Sequence, residues 1–243
     1  MLHKTAGLVL HTVPYGETSV VVRIFTERFG IQSYLVNGVR SSKAKTGRAN
    51  LLRPVNLLDL VVYHRDEKNL QRLSDFRFAY LYRALYADPV KNAVALFMVE
   101  LLDKTLKEPD PLPELFDFTA EALRWADSYE DGLGNLPLFF TLKVAAMLGF
   151  HFYGRYRSTT SYLDLKEGRF VAERPPHPHF LSQEGARLTD TLLQATAFDS
   201  LSGVATHKHF RRTLLSAYQD YFQLHVAGFS RLQSPRILME LWD

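Results

Sequence analysis

The sequence predicts an α+β multidomain protein, in which an N-terminal five-stranded β-barrel precedes an all-α C-terminal domain with a small β-hairpin insert. One observation is a change of period, from strand patterns to helical spacing, at about residue 80. Another is the failure of helical spacing from about residue 150. These changes predict domains at 1–80 and 81–243, with a non-helical insert at 150–181.

Five short runs of β-branched and aromatic residues predict the strands of the N-terminal domain. They lie at 8–10, 20–26, 31–36, 55–63 and 70–78. Turn residues separate them, as at Pro14-Tyr15-Gly16 and Phe29-Gly30. Turns at this spacing are typical of an all-β barrel or sandwich.

Apolar residues at helical spacing predict the C-terminal helices. One begins at Asp88-Pro89, where an N-cap and a first-turn proline are expected. The others are predicted at 112–128, 136–148, from near 182, and at 207–226. Within the insert, the run 162–171 predicts a hairpin that turns at Glu167-Gly168, and a stiff proline-rich segment follows it.

The composition excludes several classes of protein. A chain of 243 residues with 47% hydrophobic content can bury a core, which excludes a disordered chain. The absence of cysteine excludes disulfides, Cys-ligated zinc and a thiol nucleophile. The longest uncharged run, 5–16, is shorter than the roughly 18 apolar residues of a membrane span, and no signal peptide is evident. We therefore expect a cytoplasmic protein without a membrane partner.

The charge is divided unevenly along the chain. Residues 1–83 hold 13 Lys and Arg against 6 Asp and Glu, a net charge of +7. Residues 84–243 hold 16 against 20, a net charge of −4. A basic first third joined to a mildly acidic remainder indicates a module that binds a polyanion, followed by a domain with another task.

The segment from Gly38 to Arg53 carries the strongest signal for nucleic-acid binding. It contains two glycines, several hydroxyl residues and no acidic residue, and its five cations are Arg40, Lys43, Lys45, Arg48 and Arg53. Such a loop suits phosphates, because its backbone approaches closely while the cations displace counterions. We predict it as the main contact, with Lys68 and Arg72 as second choices and Tyr15 and Tyr34 as weaker stacking candidates. The alternative is a solvated surface loop.

Signatures of catalysis and of metal binding are missing. The chain lacks Gly-x-Ser-x-Gly, His-Glu-x-x-His and P-loop motifs. His177 and His179 form one pair and His207 and His209 another, but neither has a carboxylate at ligand spacing. We therefore predict a protein that is not an enzyme and that holds no metal or other cofactor.

Several short motifs resemble those of the RecO family of bacterial recombination mediators. The N-terminal motifs are Val13-Pro14-Tyr15-Gly16-Glu17-Thr18-Ser19, Phe25-Thr26-Glu27-Arg28-Phe29-Gly30 and Val36-Asn37-Gly38-Val39-Arg40. Met147-Leu148-Gly149-Phe150 is similar to the family's Leu-Gly-Phe helix end, and 234–241 is similar to its closing helix. The resemblance therefore covers nearly the whole chain.

The resemblance implies an N-terminal barrel similar to the oligonucleotide-binding (OB) fold, a C-terminal helical domain and no catalysis. Such proteins bind single- and double-stranded DNA and anneal complementary strands. With RecR, they load recombinase on DNA coated by single-stranded-DNA-binding protein, whose acidic tail they grip. We accordingly expect a location at the nucleoid. Many members place four cysteines in the insert to hold zinc; this chain has none, so zinc is not expected.

The resemblance also implies a groove for the acidic, aromatic-ended tail in the helical domain. Such a peptide needs an apolar slot for its ring and nearby cations for its carboxylates. We predict that these groups are supplied by Arg124, Phe139, Phe140 and Lys143. Adjacent phenylalanines on a helix cannot both face one slot, so one of the pair belongs in the core. Two alternatives stay open for the whole protein: an OB-fold RNA-binding protein, and an adaptor in which the basic loop is inert.

Overall fold

The computed structural model describes residues 1–40 and 47–241. Its strands are β1 (Leu2–Tyr15), β2 (Ser19–Thr26), β3 (Gly30–Val36), β4 (Leu57–Tyr63), β5 (Leu70–Phe78), β6 (Tyr162–Asp164), β7 (Arg169–Val171) and β8 (Phe180–Ser182). Its α-helices are α1 (Arg48–Leu51), α2 (Pro89–Thr105), α3 (Pro113–Ser128), α4 (Leu136–Met147), α5 (Gln183–Gln194), α6 (Lys208–His225) and α7 (Ser234–Leu241). Short 3-10 helices occupy Leu133–Asn135 and Phe198–Gly203. A barrel followed by helices confirms the predicted fold class.

The first five strands close into a barrel in the order β1-β2-β3-β5-β4. β1 is much longer than the predicted 8–10, because its first half pairs with β4 and its second half with β2. Its register with β2 shifts between Val9 and His11, and such an irregularity lets one strand bend between two partners. Parallel pairing of β3 with β5 over three residues, from Ser33↔Leu70 to Leu35↔Arg72, completes the closure.

Alternation of side chains determines what the barrel buries and what it exposes. Leu58, Leu60 and Val62 of β4 are almost fully buried in the barrel core, so the residues between them lie on the outer surface. β5 departs from strict alternation because its register with β4 shifts between Val61 and Val62. As a result Gln71 is buried before the shift and Phe76 after it.

The chain forms two compact units, of which the first comprises 1–83 and 102–123. Here Arg23 donates from Nη2 to the carbonyl oxygen of Leu106 at 2.9 Å. Phe25 meets the ring of Phe116 edge-on at 5.6 Å between centroids. Gly30 has a φ of +59°, and a Cβ there would lie 2.2 Å from the Asp110 carbonyl oxygen, so this turn needs glycine.

The second unit comprises 84–101 and 124–243. Its α4 is apolar on nearly all sides and is buried along most of its length, as expected for a central helix. The helix predicted at Asp88-Pro89 is confirmed, since the Asp88 carboxylate accepts the N–H groups of Val90 and Lys91. The division into separate domains at 80/81 stays a prediction.

The insert is richer in strands than the sequence indicates. The predicted hairpin is confirmed, because β6 pairs with β7 from Tyr162↔Val171 to Asp164↔Arg169. β8 then pairs with the other edge of β6, which gives a three-stranded sheet in the order β7-β6-β8. The sequence does not reveal β8, because three residues after a proline-rich segment are too few to establish alternation. Among the described residues, no helix is long and apolar enough to cross a membrane.

Candidate nucleic-acid interface

The loop cations fall into three groups. Lys43 and Lys45 lie outside the described residues. Arg40 is exposed, and its guanidinium donates to the carbonyl oxygen of Gly16 at 3.2 Å. Arg53 is exposed in the turn that follows α1. Arg40 and Arg53 are thus on the surface, where phosphates could reach them.

Arg48 differs from the exposed loop cation that the sequence suggests. It is the first residue of α1, and its guanidinium carbon lies 4.6 Å from the ring centroid of Phe76. Its Nη2 is 3.6 Å from Oδ1 of Asp75, an exposed carboxylate on β5. The side chain of Arg48 therefore connects α1 to β5, and Asp75 offsets part of its charge.

Lys68 and Arg72 border a cavity of about 520 Å³ at one end of the barrel. We name it the Tyr63 cavity; its lining residues are Met1, Tyr63, Arg65, Lys68, Leu70, Gln71 and Arg72. Apolar and cationic side chains share this surface, and none of the described lining residues is acidic. Such a combination suits a ligand with both an apolar face and negative charge.

A second cavity, of about 350 Å³, adjoins the loop. Arg48, Asn37 and Gly38 line it together with Arg72, which also borders the Tyr63 cavity. Ser19 donates to the side chain of Asn37 at 3.1 Å near the same strand ends. Arg72 therefore joins the two sets of cations that the sequence separates into first and second choices. We name the resulting surface, to which the cations lining the two cavities belong, the basic track: Arg48, Arg72, Lys68 and Arg65.

Gln71 holds part of the basic track in place. Its buried carboxamide donates to the carbonyl oxygens of Arg65 at 2.7 Å and Lys68 at 2.6 Å, and it accepts the N–H of Arg65 at 3.0 Å. These three hydrogen bonds tie the β4–β5 turn to the start of β5. The two turn cations therefore project from a backbone that is already ordered.

Sequence reasoning missed Tyr63, Arg65 and Gln71. The turn that contains Arg65 also holds Asp66 and Glu67, and this mixture of charges conceals a basic surface. The signal for Tyr63 is nonetheless present, since it continues the outward-facing positions of β4 and is 50% exposed. No local pattern indicates the role of Gln71, which depends on the turn conformation.

Of the two predicted stacking residues, the prediction for Tyr34 is wrong. Its ring is fully buried in the barrel core, and burial raises the pKa of its phenol. The strand alternation that buries Ile24 and Val36 also turns Tyr34 inward. Tyr15 is 56% exposed at the end of β1, where stacking stays possible.

The residues chosen for a partner-tail groove do not form an open slot. Phe139 and Phe140 are both buried, so the expectation that one of them faces the surface is wrong. The physical reason is that α4 packs on nearly all its sides. Lys143 is half-buried with its ammonium 5.1 Å from the ring centroid of Phe139, and Arg124 is exposed on α3. The role of these two cations stays a prediction.

The insert does not have the residues of the four-cysteine zinc site that many RecO proteins carry there. It has no cysteine, and the described residues contain no group of three or more metal-ligating side chains. Instead, His177 Nε2 lies 3.3 Å from Asp164 Oδ2, while Asp164 Oδ1 accepts the N–H groups of Lys166 and Glu167. His207 precedes α6 and His209 lies within it. The absence of zinc stays a prediction.

A closed barrel whose outer surface bears a basic track, followed along the chain by a helical region, defines an OB-like barrel protein with a second, helical module. Two family models match the chain: Recombination protein O N terminal over residues 1–82 and Recombination protein O C terminal over 86–234. The chain belongs to the RecO family of DNA repair proteins.

Curated relatives agree with the family models over the full length. The DNA repair protein RecO of Phocaeicola vulgatus is 30% identical over 243 residues, which is 100% of both chains. The proteins of the same name from Azobacteroides pseudotrichonymphae and Bacteroides fragilis (strain YCH46) are 27% and 29% identical, again over 100% of both chains.

Proposed function

We propose that this protein is a non-enzymatic recombination mediator that binds single- and double-stranded DNA on the basic track. The observation that carries the proposal is the continuity of the track, in which Arg72 borders both the loop-side cavity and the Tyr63 cavity. No acidic residue is among the described residues that line either cavity. Chromosomal DNA at the nucleoid is the substrate that this function requires.

Strand annealing needs no covalent chemistry. Two complementary strands repel each other through their phosphates, and a surface that neutralises both backbones lowers the free energy of their encounter. Base pairing then supplies the specificity. Cations on flexible side chains and a glycine-containing loop suit this task, because they bind phosphates without reading base edges.

The helical unit is proposed to bind the protein partners: RecR and the acidic tail of single-stranded-DNA-binding protein. Membership in the family supports this assignment, as does the mildly acidic net charge of the C-terminal two-thirds, which disfavours DNA there. Lys143 and Arg124 are the cations proposed for the tail carboxylates. Together these interactions would help to load recombinase on coated single strands.

An annealing assay tests the main proposal. Complementary oligonucleotides, bare or coated with single-stranded-DNA-binding protein, are mixed with and without the protein, and duplex formation is followed by energy transfer between labels. We expect faster annealing in both cases. RNA of equal length as competitor separates this function from RNA binding, and no nucleic-acid binding at all would favour the adaptor alternative.

The salt dependence of binding tests the loop. The five loop cations are Arg40, Lys43, Lys45, Arg48 and Arg53. If all five neutralise phosphates of a single strand, the slope of log K against log salt should be about −3.5. The double variant Lys43→Ala/Lys45→Ala should reduce that slope by about 1.4 and weaken binding to all sequences alike. Lys166→Ala/Arg169→Ala, two exposed cations of the insert, is the matched control. An unaltered slope in the loop variant would place the DNA path elsewhere.

A labelled acidic peptide that ends in an aromatic residue tests the partner cations. We expect Lys143→Glu and Arg124→Glu to weaken its binding, because each replaces an attractive charge with a repulsive one. Equal affinity of both variants and the wild type would remove these positions from consideration, without consequence for DNA binding.

A further inference from the structure

We propose that one unpaired base of single-stranded DNA stacks on Tyr63, while Arg65, Lys68 and Arg72 hold the phosphates beside it. The inference rests on the proposed DNA binding and adds the form of the nucleic acid that this part of the surface accepts. At this position the protein would therefore bind single strands in preference to duplex DNA.

The exposure of Tyr63 is the first observation. It is the last residue of β4, and its cross-strand neighbours on the outer surface are Leu2 of β1 and Arg72 of β5. Leu2 is 52% exposed and Leu70, at the start of β5, is 40% exposed. A cluster of exposed apolar side chains between cations is unusual on a surface that binds only phosphates, which offer no apolar face.

The shape and charge of the Tyr63 cavity are the second observation. Its volume of about 520 Å³ is within the roughly 300–1,000 Å³ that small-molecule sites occupy. Three side-chain cations border it: Arg65, Lys68 and Arg72. A nucleotide offers both an apolar base and an anionic phosphate. A base within a duplex is stacked between its neighbours, so only an unpaired base can place its face on the tyrosine.

Preorganisation is the third observation. The carboxamide of Gln71 bonds to the backbone of both Arg65 and Lys68, so the turn beside Tyr63 is ordered without a ligand. Arg72 follows Gln71 directly, and its Cα is the register partner of Tyr63. The ring and its neighbouring cations thus project from adjacent, hydrogen-bonded backbone, which lowers the entropy lost on binding.

The test compares single-stranded and duplex oligonucleotides of about 16 nucleotides, the upper site size of an OB fold, by fluorescence anisotropy. Tyr63→Leu removes the ring and keeps an apolar side chain. It should weaken single-strand binding about tenfold and leave duplex binding within about twofold. Tyr63→Phe should bind as the wild type does, because stacking needs the ring and not the hydroxyl. Tyr129→Leu, which alters a tyrosine of similar exposure at 49% in the helical unit, is the matched control.

A second readout follows the base itself. A single strand that contains the fluorescent base analogue 2-aminopurine should show a change in emission on binding that Tyr63→Leu abolishes and Tyr63→Phe retains. Equal losses for single strands and duplex, or no loss in Tyr63→Leu, would overturn the stacking proposal. If Arg72→Ala weakens both forms of DNA while Tyr63→Leu weakens neither, DNA binding on the track stands and stacking is wrong. If the wild type binds no DNA, both proposals are wrong.

Discussion

The barrel and the helical unit use their aromatic side chains in opposite ways. On β4 of the barrel, alternation buries one side of the strand and leaves Tyr63 on the other. On α4, apolar residues cover nearly all sides of the helix, and Phe139 and Phe140 are both taken up by the core. A half-buried strand therefore keeps an aromatic ring available for a ligand, whereas a central helix does not.

The two units also differ in how they use aspartate–histidine pairs. In the barrel unit, His64 Nε2 lies 3.0 Å from Oδ1 of Asp66, whose side chain is 97% exposed. In the helical unit, the side chain of Asp164 is 9% exposed in its contact with His177, and it also accepts two backbone N–H groups. Asp66 thus lies at the surface, whereas Asp164 is part of the insert's structure.

The largest expected effect tests whether α4 is core. Phe140→Ala should lower the free energy of unfolding by about 3–5 kcal/mol, because it removes a fully buried ring and leaves a cavity. Phe78→Ala, at a ring 37% exposed at the end of β5, should lower it by less than about 1 kcal/mol. Urea denaturation followed by circular dichroism measures both. Similar losses would contradict the proposed contrast between the units.

A smaller effect is expected from the two carboxylates. Asp164→Ala should destabilise the protein by about 2 kcal/mol, because two N–H groups lose their acceptor and His177 loses its partner. Asp66→Ala should change stability by less than about 0.5 kcal/mol. Thermal melts of the two variants measure the difference.

A chelator should leave the wild-type melt unchanged, as expected if hydrogen bonds rather than a metal hold the insert. One zinc per chain, found by metal analysis of the tag-free protein, would show that this view of the insert is wrong.

The smallest effect concerns a tyrosine of the helical unit. Tyr221 donates from its hydroxyl to the carbonyl oxygen of Phe150 at 2.6 Å, and burial raises its pKa to about 12. Tyr221→Phe should destabilise the protein by about 1 kcal/mol at neutral pH. Tyr15→Phe, at an exposed ring of the barrel, should have no measurable effect on stability.

The same tyrosine predicts a pH dependence. An unfolded tyrosine ionises near pH 10, whereas the folded Tyr221 ionises near pH 12. Between these values the unfolded state binds fewer protons, so the stability contributed by Tyr221 is present below pH 10 and falls as the pH rises towards 12. Denaturation at a series of alkaline pH values should show that the free energy of unfolding declines less steeply with pH in Tyr221→Phe than in Tyr15→Phe. Identical slopes would exclude this contribution.

The amino-acid sequence by itself determined the order of the barrel strands and the longer helices, and the division of charge. Period-2 runs separated by turns predict five strands, and the apolar stripes that begin at Asp88 predict helices, because both patterns arise from local backbone geometry. The +7 charge of 1–83 likewise follows from the sequence and predicts a polyanion partner.

Tertiary structure alone decided which of the candidate residues share a surface. Arg72 joins Arg48 of the loop to Arg65 and Lys68 only because β5 lies between β3 and β4 in the closed barrel. Tyr34 and the α4 phenylalanines are lost as sites because packing, which depends on residues distant in the chain, buries them. Local sequence patterns predict the secondary structure of a segment, whereas the whole fold determines which side chains are exposed and which lie close together.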